Sequence, residues 1–92
     1  METRPGRSER LAGMATVRYF AAAAEAAGTE SEHVPAEALG TLLDQLVALH
    51  GPALERVLER SSILHEGQYV SDPQTPLAHD AVLDVLPPFA GG

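Results

Sequence analysis

The sequence contains no cysteine, no lysine and no tryptophan among its 92 residues. Without cysteine, the chain can form no disulfide, no thiolate metal site and no cysteine nucleophile. Its six basic residues are all arginine, against 13 acidic residues, and the net charge is −7 at pH 7. An acidic chain without a basic stripe binds nucleic acid poorly and is repelled by anionic membranes, so we expect neither as a partner.

Long apolar runs and glycine-rich loops are also missing. No run reaches transmembrane length and no apolar segment typical of a signal peptide follows the N-terminal arginines, which predicts a cytoplasmic protein. The glycines before the C-terminus are isolated, so no phosphate-binding loop is present. A chain of this length makes one small domain with little volume for a buried ligand, and we expect no cofactor.

The motifs of common enzymes are absent as well. The four histidines (His33, His50, His65 and His79) lack the spacing of a metal site, so no metal is expected. His79-Asp80 resembles half of a catalytic triad but is more typical of a turn, and Ser61-Ser62 has no Gly-x-Ser-x-Gly setting. These residues argue against an enzyme that acts alone.

The amino-acid composition divides the chain into three segments. Residues 1–13 are polar and arginine-rich without apolar periodicity, which predicts a disordered leader or an upstream extension. Residues 14–86 carry the apolar pattern of the domain. Residues 87–92 form a C-terminal tail that we expect to be flexible and reactive.

The first half of the domain alternates strands and helices. Residues 15–20 predict a first strand, and residues 21–27 a short helix that ends at Gly28. Residues 30–34 predict a second strand that pairs with the first. Residues 39–50 predict the main helix, because five leucines share one face (Leu39, Leu42, Leu43, Leu46 and Leu49).

The second half begins with Gly51 and Pro52, which end that helix and start another. Ile63 and Leu64 predict a strand, and Glu66-Gly67 a hairpin turn into residues 68–70. After a loop at 71–76, we expect Leu77 to fill the core. The last strand, residues 82–86, should turn Leu83 and Val85 inward and Asp84 outward. The order predicts an α+β fold of four to five strands, with one main helix on one face of the sheet.

The tail carries the most informative pattern. Gly91 and Gly92 have no side chains, so a slender strand ends in a free carboxylate that can thread a narrow channel. Pro87 and Pro88 keep the preceding segment extended. We expect Gly92 to be the reactive group, Gly91 and Ala90 to thread, and Leu86, Pro87, Pro88 and Phe89 to bind a partner.

These features together resemble a known family. Val17-Arg18-Tyr19-Phe20-Ala21, Glu25 followed by Gly28, the leucine helix and the ending Pro87-Pro88-Phe89-Ala90-Gly91-Gly92 are similar to the MoaD-type small subunit of molybdopterin synthase. That subunit belongs to the MoaD/ThiS ubiquitin-like sulfur carriers. The resemblance implies a ubiquitin-like β-grasp with a mixed sheet.

The resemblance also implies a function and partners. The Gly92 carboxylate would be adenylated by an E1-like enzyme, converted to a thiocarboxylate and inserted into the large subunit of molybdopterin synthase. Sulfur would pass there to a pyranopterin, building the dithiolene of the molybdenum cofactor. Two small and two large subunits form the family's usual heterotetramer, and the catalytic side chains belong to the large subunit.

Other functions share the same tail. A related carrier could serve thiamine, cysteine or a secondary metabolite. A ubiquitin-like modifier would join Gly92 to lysines of other proteins, and the absence of lysine excludes only chains linked through the protein itself. A plain interaction domain with an inert tail is the third class.

Overall fold

The structure, a computed structural model, describes residues 14–88. The expectations for the leader at 1–13 and for Phe89, Ala90, Gly91 and Gly92 lie outside the described residues. The described elements are β1 (Met14–Tyr19), α1 (Ala22–Ala27), β2 (Ser31–Pro35), α2 (Leu39–His50), α3 (Pro52–Arg60), β3 (Ser62–His65), β4 (Gln68–Val70) and β5 (Val82–Leu86). The predicted elements are confirmed, with bounds that shift by one or two residues.

The five strands form one mixed sheet in the order β2-β1-β5-β3-β4. β1 pairs antiparallel with β2 and parallel with β5, whereas β3 pairs antiparallel with both β5 and β4. The α+β class and the five-strand sheet are therefore confirmed. The last strand, β5, lies at the centre of the sheet, so the chain leaves the domain from its middle rather than from an edge.

One face of the sheet is covered and the other is open. Along β5, Leu83 and Val85 are at most 1% exposed and belong to the core. The three helices contribute to the same core through Ala23 from α1, Leu39, Leu42 and Leu46 from α2, and Leu54 from α3. Because side chains alternate along a strand, Arg18, Asp84 and Leu86 lie on the open face.

The apolar face predicted for α2 is wider than the face that is buried in the structure. Leu49 is 61% exposed, and Leu43 only packs against the core from a partly buried position. At 3.6 residues per turn both lie on the flanks of the stripe whose centre is formed by Leu39, Leu42 and Leu46. Leu49 lies in the last turn, beside Pro35 of the edge strand β2, where no further layer covers it within the described residues.

Two turns follow the sequence closely. Gly28 has φ 76°, the left-handed conformation of a helix C-terminal glycine. Glu66 and Gly67 have φ values of 53° and 84°, as in the two-residue hairpin turn that matches strand twist. Leu77 is 6% exposed and fills the core as predicted.

The loop before Leu77 also completes the start of α2, which has no side-chain cap. The N–H groups of Leu39 and Gly40 donate to the carbonyls of Thr75 and Pro73, at 3.0 and 2.8 Å. These bonds satisfy donors that a helix leaves unpaired at its N-terminus. A Cβ atom on Gly40 would lie 2.9 Å from Cβ of Pro73, so glycine permits this close approach.

Candidate functional site

The candidate site is the point where β5 leaves the sheet. Leu86 is its last residue and pairs with Ser62 of β3. Pro87 and Pro88 follow, partly buried and exposed respectively. Neither proline has an N–H to extend the ladder, and both favour an extended backbone. The chain is therefore released from the middle of the sheet as an extended segment, and the structure places Leu86, Pro87 and Pro88 together there.

Apolar side chains surround this exit on the open face. Leu64 and Leu86 are partly buried, Tyr69 is 74% exposed, and Phe20 is 41% exposed. The strand register places Leu64 beside Tyr69, and the pairing of Tyr19 with Val85 places Phe20 next to Leu86. We call these four residues the open-face patch. Exposed apolar surface beside the point where the chain leaves the sheet is typical of a protein-binding surface.

A two-point ion pair lies in the middle of the same face. Arg18 donates from Nε to Oδ1 of Asp84 at 2.6 Å and from a terminal nitrogen to Oδ2 at 2.9 Å. The hydrogen bond to Asp84, reinforced by its negative charge, raises the pKa of the Arg18 guanidinium. The pair joins β1 to β5 and neutralises both charges on the open face. Sequence patterns do not show it, since the two residues are 66 positions apart.

The turn between β1 and α1 holds a strained residue beside the exit. Ala21 has φ 53° and ψ −126°, a conformation that glycine adopts readily and alanine does not. The N–H of Ala23 donates to the carbonyl of Phe20 at 3.0 Å and closes the turn. The N–H of Phe20 in turn donates to the carbonyl of Val85 at 3.3 Å. The turn therefore fixes Phe20 against the last strand.

A groove of about 460 Å³ lies on the helix side of the exit. We call it the exit groove. Part of its lining is apolar, from α1, α3 and the exit segment: Ala22, Val57, Pro87 and Pro88. The rest comes from charged residues of α3: Arg56, Glu59 and Arg60.

A separate polar network lies away from the exit. The Tyr19 hydroxyl donates to Oε2 of Glu32 at 2.5 Å, and Nε2 of His50 lies 2.6 Å from the same oxygen. The rings of Tyr19 and His50 meet edge to face, with centroids 6.1 Å apart. Burial of Tyr19, followed by its bond to Glu32, raises the pKa of the phenol. The network links β1, β2 and α2 through hydrogen bonds. We therefore assign it a structural role.

The remaining candidates do not assemble into a site. Among residues 14–88, no group of three or more His, Asp or Glu side chains could hold a metal ion. His33 bonds the hydroxyl of Thr16 at 2.9 Å, and His79 lies 4.0 Å from Asp80 in an exposed turn. None of the described helices is long and apolar enough to cross a membrane.

Comparison with known proteins decides the family. The ThiS family profile matches residues 17–92. The chain belongs to the ThiS family. The predicted resemblance to the MoaD/ThiS ubiquitin-like carriers is therefore confirmed, and the sheet with its covering helices is a ubiquitin-like β-grasp. A search of the curated proteins finds no significant match.

Solved structures with the same fold include small archaeal modifier proteins and a molybdopterin-converting factor subunit. SAMP1 from Haloferax volcanii is 31% identical with a TM-score of 0.76, covering 87% of this chain and 100% of that one. Small archaeal modifier protein 1 from Methanosarcina acetivorans is 26% identical with a TM-score of 0.76, covering 88% and 98%. A chain in the complex of subunits 1 and 2 of the molybdopterin-converting factor from Helicobacter pylori is 25% identical with a TM-score of 0.63, covering 86% and 99%.

Sequence reasoning located the exit but missed its surroundings. Phe20, Ala21 and the Arg18–Asp84 pair become neighbours of the exit only through the parallel pairing of β1 with β5. Arg56 and Arg60 could have been noticed, because residues four apart share one face of a helix. The predicted reactive residues, Ala90 to Gly92, and Phe89 lie outside the described residues, and their roles remain predictions.

Proposed function

We propose that the chain is a sulfur carrier whose reactive group is the C-terminal carboxylate of Gly92, serving molybdopterin synthesis in the cytoplasm. The observation that carries this proposal is the exit of β5. A central strand runs into two prolines and then into Phe89-Ala90-Gly91-Gly92. Membership of the ThiS family supports the carrier role.

The chemistry takes place at one carbonyl carbon. The Gly92 carboxylate attacks the α-phosphorus of ATP on an E1-like enzyme, which gives an acyl-adenylate and releases pyrophosphate. A persulfide then displaces AMP and forms an acyl disulfide, and a reductant or a second thiol cleaves its S–S bond to leave a thiocarboxylate on Gly92. In the large subunit of molybdopterin synthase, two thiocarboxylates in succession each give one sulfur to a pyranopterin, and the two sulfur atoms form the dithiolene. The bond between each transferred sulfur and the Gly92 carbonyl is then cleaved. Water restores the carboxylate.

The open-face patch supports a partner-binding role for the exit. Leu86 and Phe20 flank the root of the tail, so a partner that accepts Gly92 would cover them. The Helicobacter pylori structure contains subunits 1 and 2 in one complex. We extend that arrangement to this chain as a complex of two small and two large subunits, with Pro87, Pro88 and Phe89 guiding the tail.

Intact-mass analysis of the protein co-expressed with its native operon tests the proposal. The expected result is a species heavier by the difference between one sulfur and one oxygen atom, with the change confined to the C-terminal peptide. Adding the large subunit and the cyclic pyranopterin should return the original mass. An unchanged mass in the presence of an active E1-like enzyme, ATP and a sulfur donor would contradict it.

Protein modification is the second candidate, because SAMP1 from Haloferax volcanii, a protein named as a small archaeal modifier, is 31% identical to this chain. The same activated carboxylate would then be attacked by a lysine amine instead of sulfur. Mass spectrometry of tryptic digests distinguishes the two. Because the last tryptic site of the chain is Arg60, a branch of residues 61–92 on lysines of cellular proteins would favour modification, and its absence alongside a thiocarboxylate would favour the carrier.

A further inference from the structure

The exit groove combines two guanidinium groups with an apolar floor. Arg56 and Arg60 both line it, four residues apart on α3, so their side chains are neighbours on one helix face. Like charges at this spacing repel each other unless an anion lies between them. Glu59 lines the groove as well, and a single carboxylate leaves one positive charge uncompensated.

The positive charge is unusual for this surface. Residues 14–88 contain three arginines, and Arg18 is already engaged by both oxygens of Asp84. Within residues 14–88, neither Arg56 nor Arg60 has a carboxylate oxygen within 4.0 Å, whereas the whole chain carries a net charge of −7. The exit groove thus holds two of the three arginines of residues 14–88, directly beside the point where β5 leaves the sheet.

We propose that Arg56 and Arg60 form a carboxylate-binding site, and that its occupant in the free protein is the chain's own C-terminal carboxylate at Gly92. Pro88 itself lines the groove, so the tail begins at its rim. The four following residues can span up to about 14 Å, enough to return the carboxylate to α3.

This arrangement gives the tail two positions. In the free protein, the carboxylate is paired with Arg56 and Arg60. A partner that threads the tail must first break that pairing, after which the two arginines face the partner. The inference rests on the proposed function only in taking Gly92 as the reactive chain end.

Replacing the C-terminal carboxylate by an amide tests the site in the isolated protein. Nuclear magnetic resonance spectra of the carboxylate and amide forms are compared at neutral pH and low salt, following the side-chain Nε–H signals of the arginines. We expect the signals of Arg56 and Arg60 to shift and that of Arg18, engaged by Asp84, to stay in place. Equal spectra for all three arginines would overturn the proposal.

A second experiment measures proximity directly. A nitroxide attached through A90C, which introduces the sole cysteine of the chain, should broaden the amide signals of residues 56–60. R56Q/R60Q should reduce that broadening at least twofold, whereas R18Q, which removes an arginine elsewhere, should leave it unchanged. Broadening that persists in R56Q/R60Q, or is absent in the parent protein, would contradict the site.

Neither experiment uses the E1-like enzyme or a sulfur donor. A negative result in both would not contradict sulfur transfer at Gly92. Conversely, a tail that never becomes a thiocarboxylate could still pair with the two arginines. The two proposals can therefore fail separately.

Discussion

The two faces of the sheet carry different tasks on the same strands. On β5, Leu83 and Val85 are buried against the helices, while Asp84 and Leu86 alternate with them on the open face. Among the described residues, the buried side chains of the covered face are all hydrophobic. The open face has a neutralised ion pair and an apolar patch that ends at the exit of the tail. The comparison teaches that the side chains that stabilise the fold and those that we propose to bind a partner are separated by the period of two along each strand.

The largest expected effect comes from placing the same polar side chain on each face of β5. Leu83→Gln should lower the free energy of unfolding by roughly 3–5 kcal/mol, since it removes core packing and buries an amide. Leu86→Gln, the matched change on the open face, should cost less than about 1 kcal/mol. Urea denaturation checks both. Equal losses in the free energy of unfolding would show that Leu86 contributes to the core as much as Leu83 does.

The Tyr19 network should make the covered face sensitive to alkaline pH. Its folded-state pKa is raised, so Tyr19 stays protonated above pH 10, where the unfolded chain has lost that proton. The unfolded state then binds fewer protons, and stability falls as pH rises above about 10, by at most about 1.4 kcal/mol per pH unit. Below about pH 10, the contribution of the Tyr19 network to stability is fully present.

Tyr19→Phe separates this effect from general alkaline damage. At neutral pH it should cost about 1 kcal/mol, because the hydrogen bond to Glu32 is lost. Above pH 10 the difference between the parent protein and Tyr19→Phe should shrink. Thermal denaturation from pH 7 to 11 gives the comparison, and a constant difference would argue against the raised pKa.

The smallest expected effect is a gain in stability at Ala21, in the turn between β1 and α1. Ala21→Gly should stabilise the protein by roughly 0.5–1 kcal/mol, since relief of the positive φ exceeds the added entropy of the unfolded chain. Ala24→Gly, inside α1 with ordinary helical geometry, is the matched control and should destabilise by a similar amount. Should both variants lose stability alike, Ala21 is not strained.

Much of the covered face could be predicted from sequence because local periodicity determines it. The α2 leucines, Gly28 and the Glu66-Gly67 turn each follow from short patterns. The extent of burial did not follow, as Leu49 shows, because it depends on where the sheet ends beside the helix. The neighbours of the exit, such as Arg18 with Asp84, depend on pairing between distant strands and leave no local pattern.

The central claim is that Gly92 reacts after the tail threads a channel fitted to glycine. Gly91→Val tests it most directly in a reaction with the cognate E1-like enzyme, ATP and a sulfur donor, followed by intact mass. Ala90→Ser, a small change in the same tail, serves as the control. The account predicts that the parent protein and Ala90→Ser gain sulfur, whereas Gly91→Val stays folded and gains none. Normal sulfur gain by Gly91→Val would contradict the account.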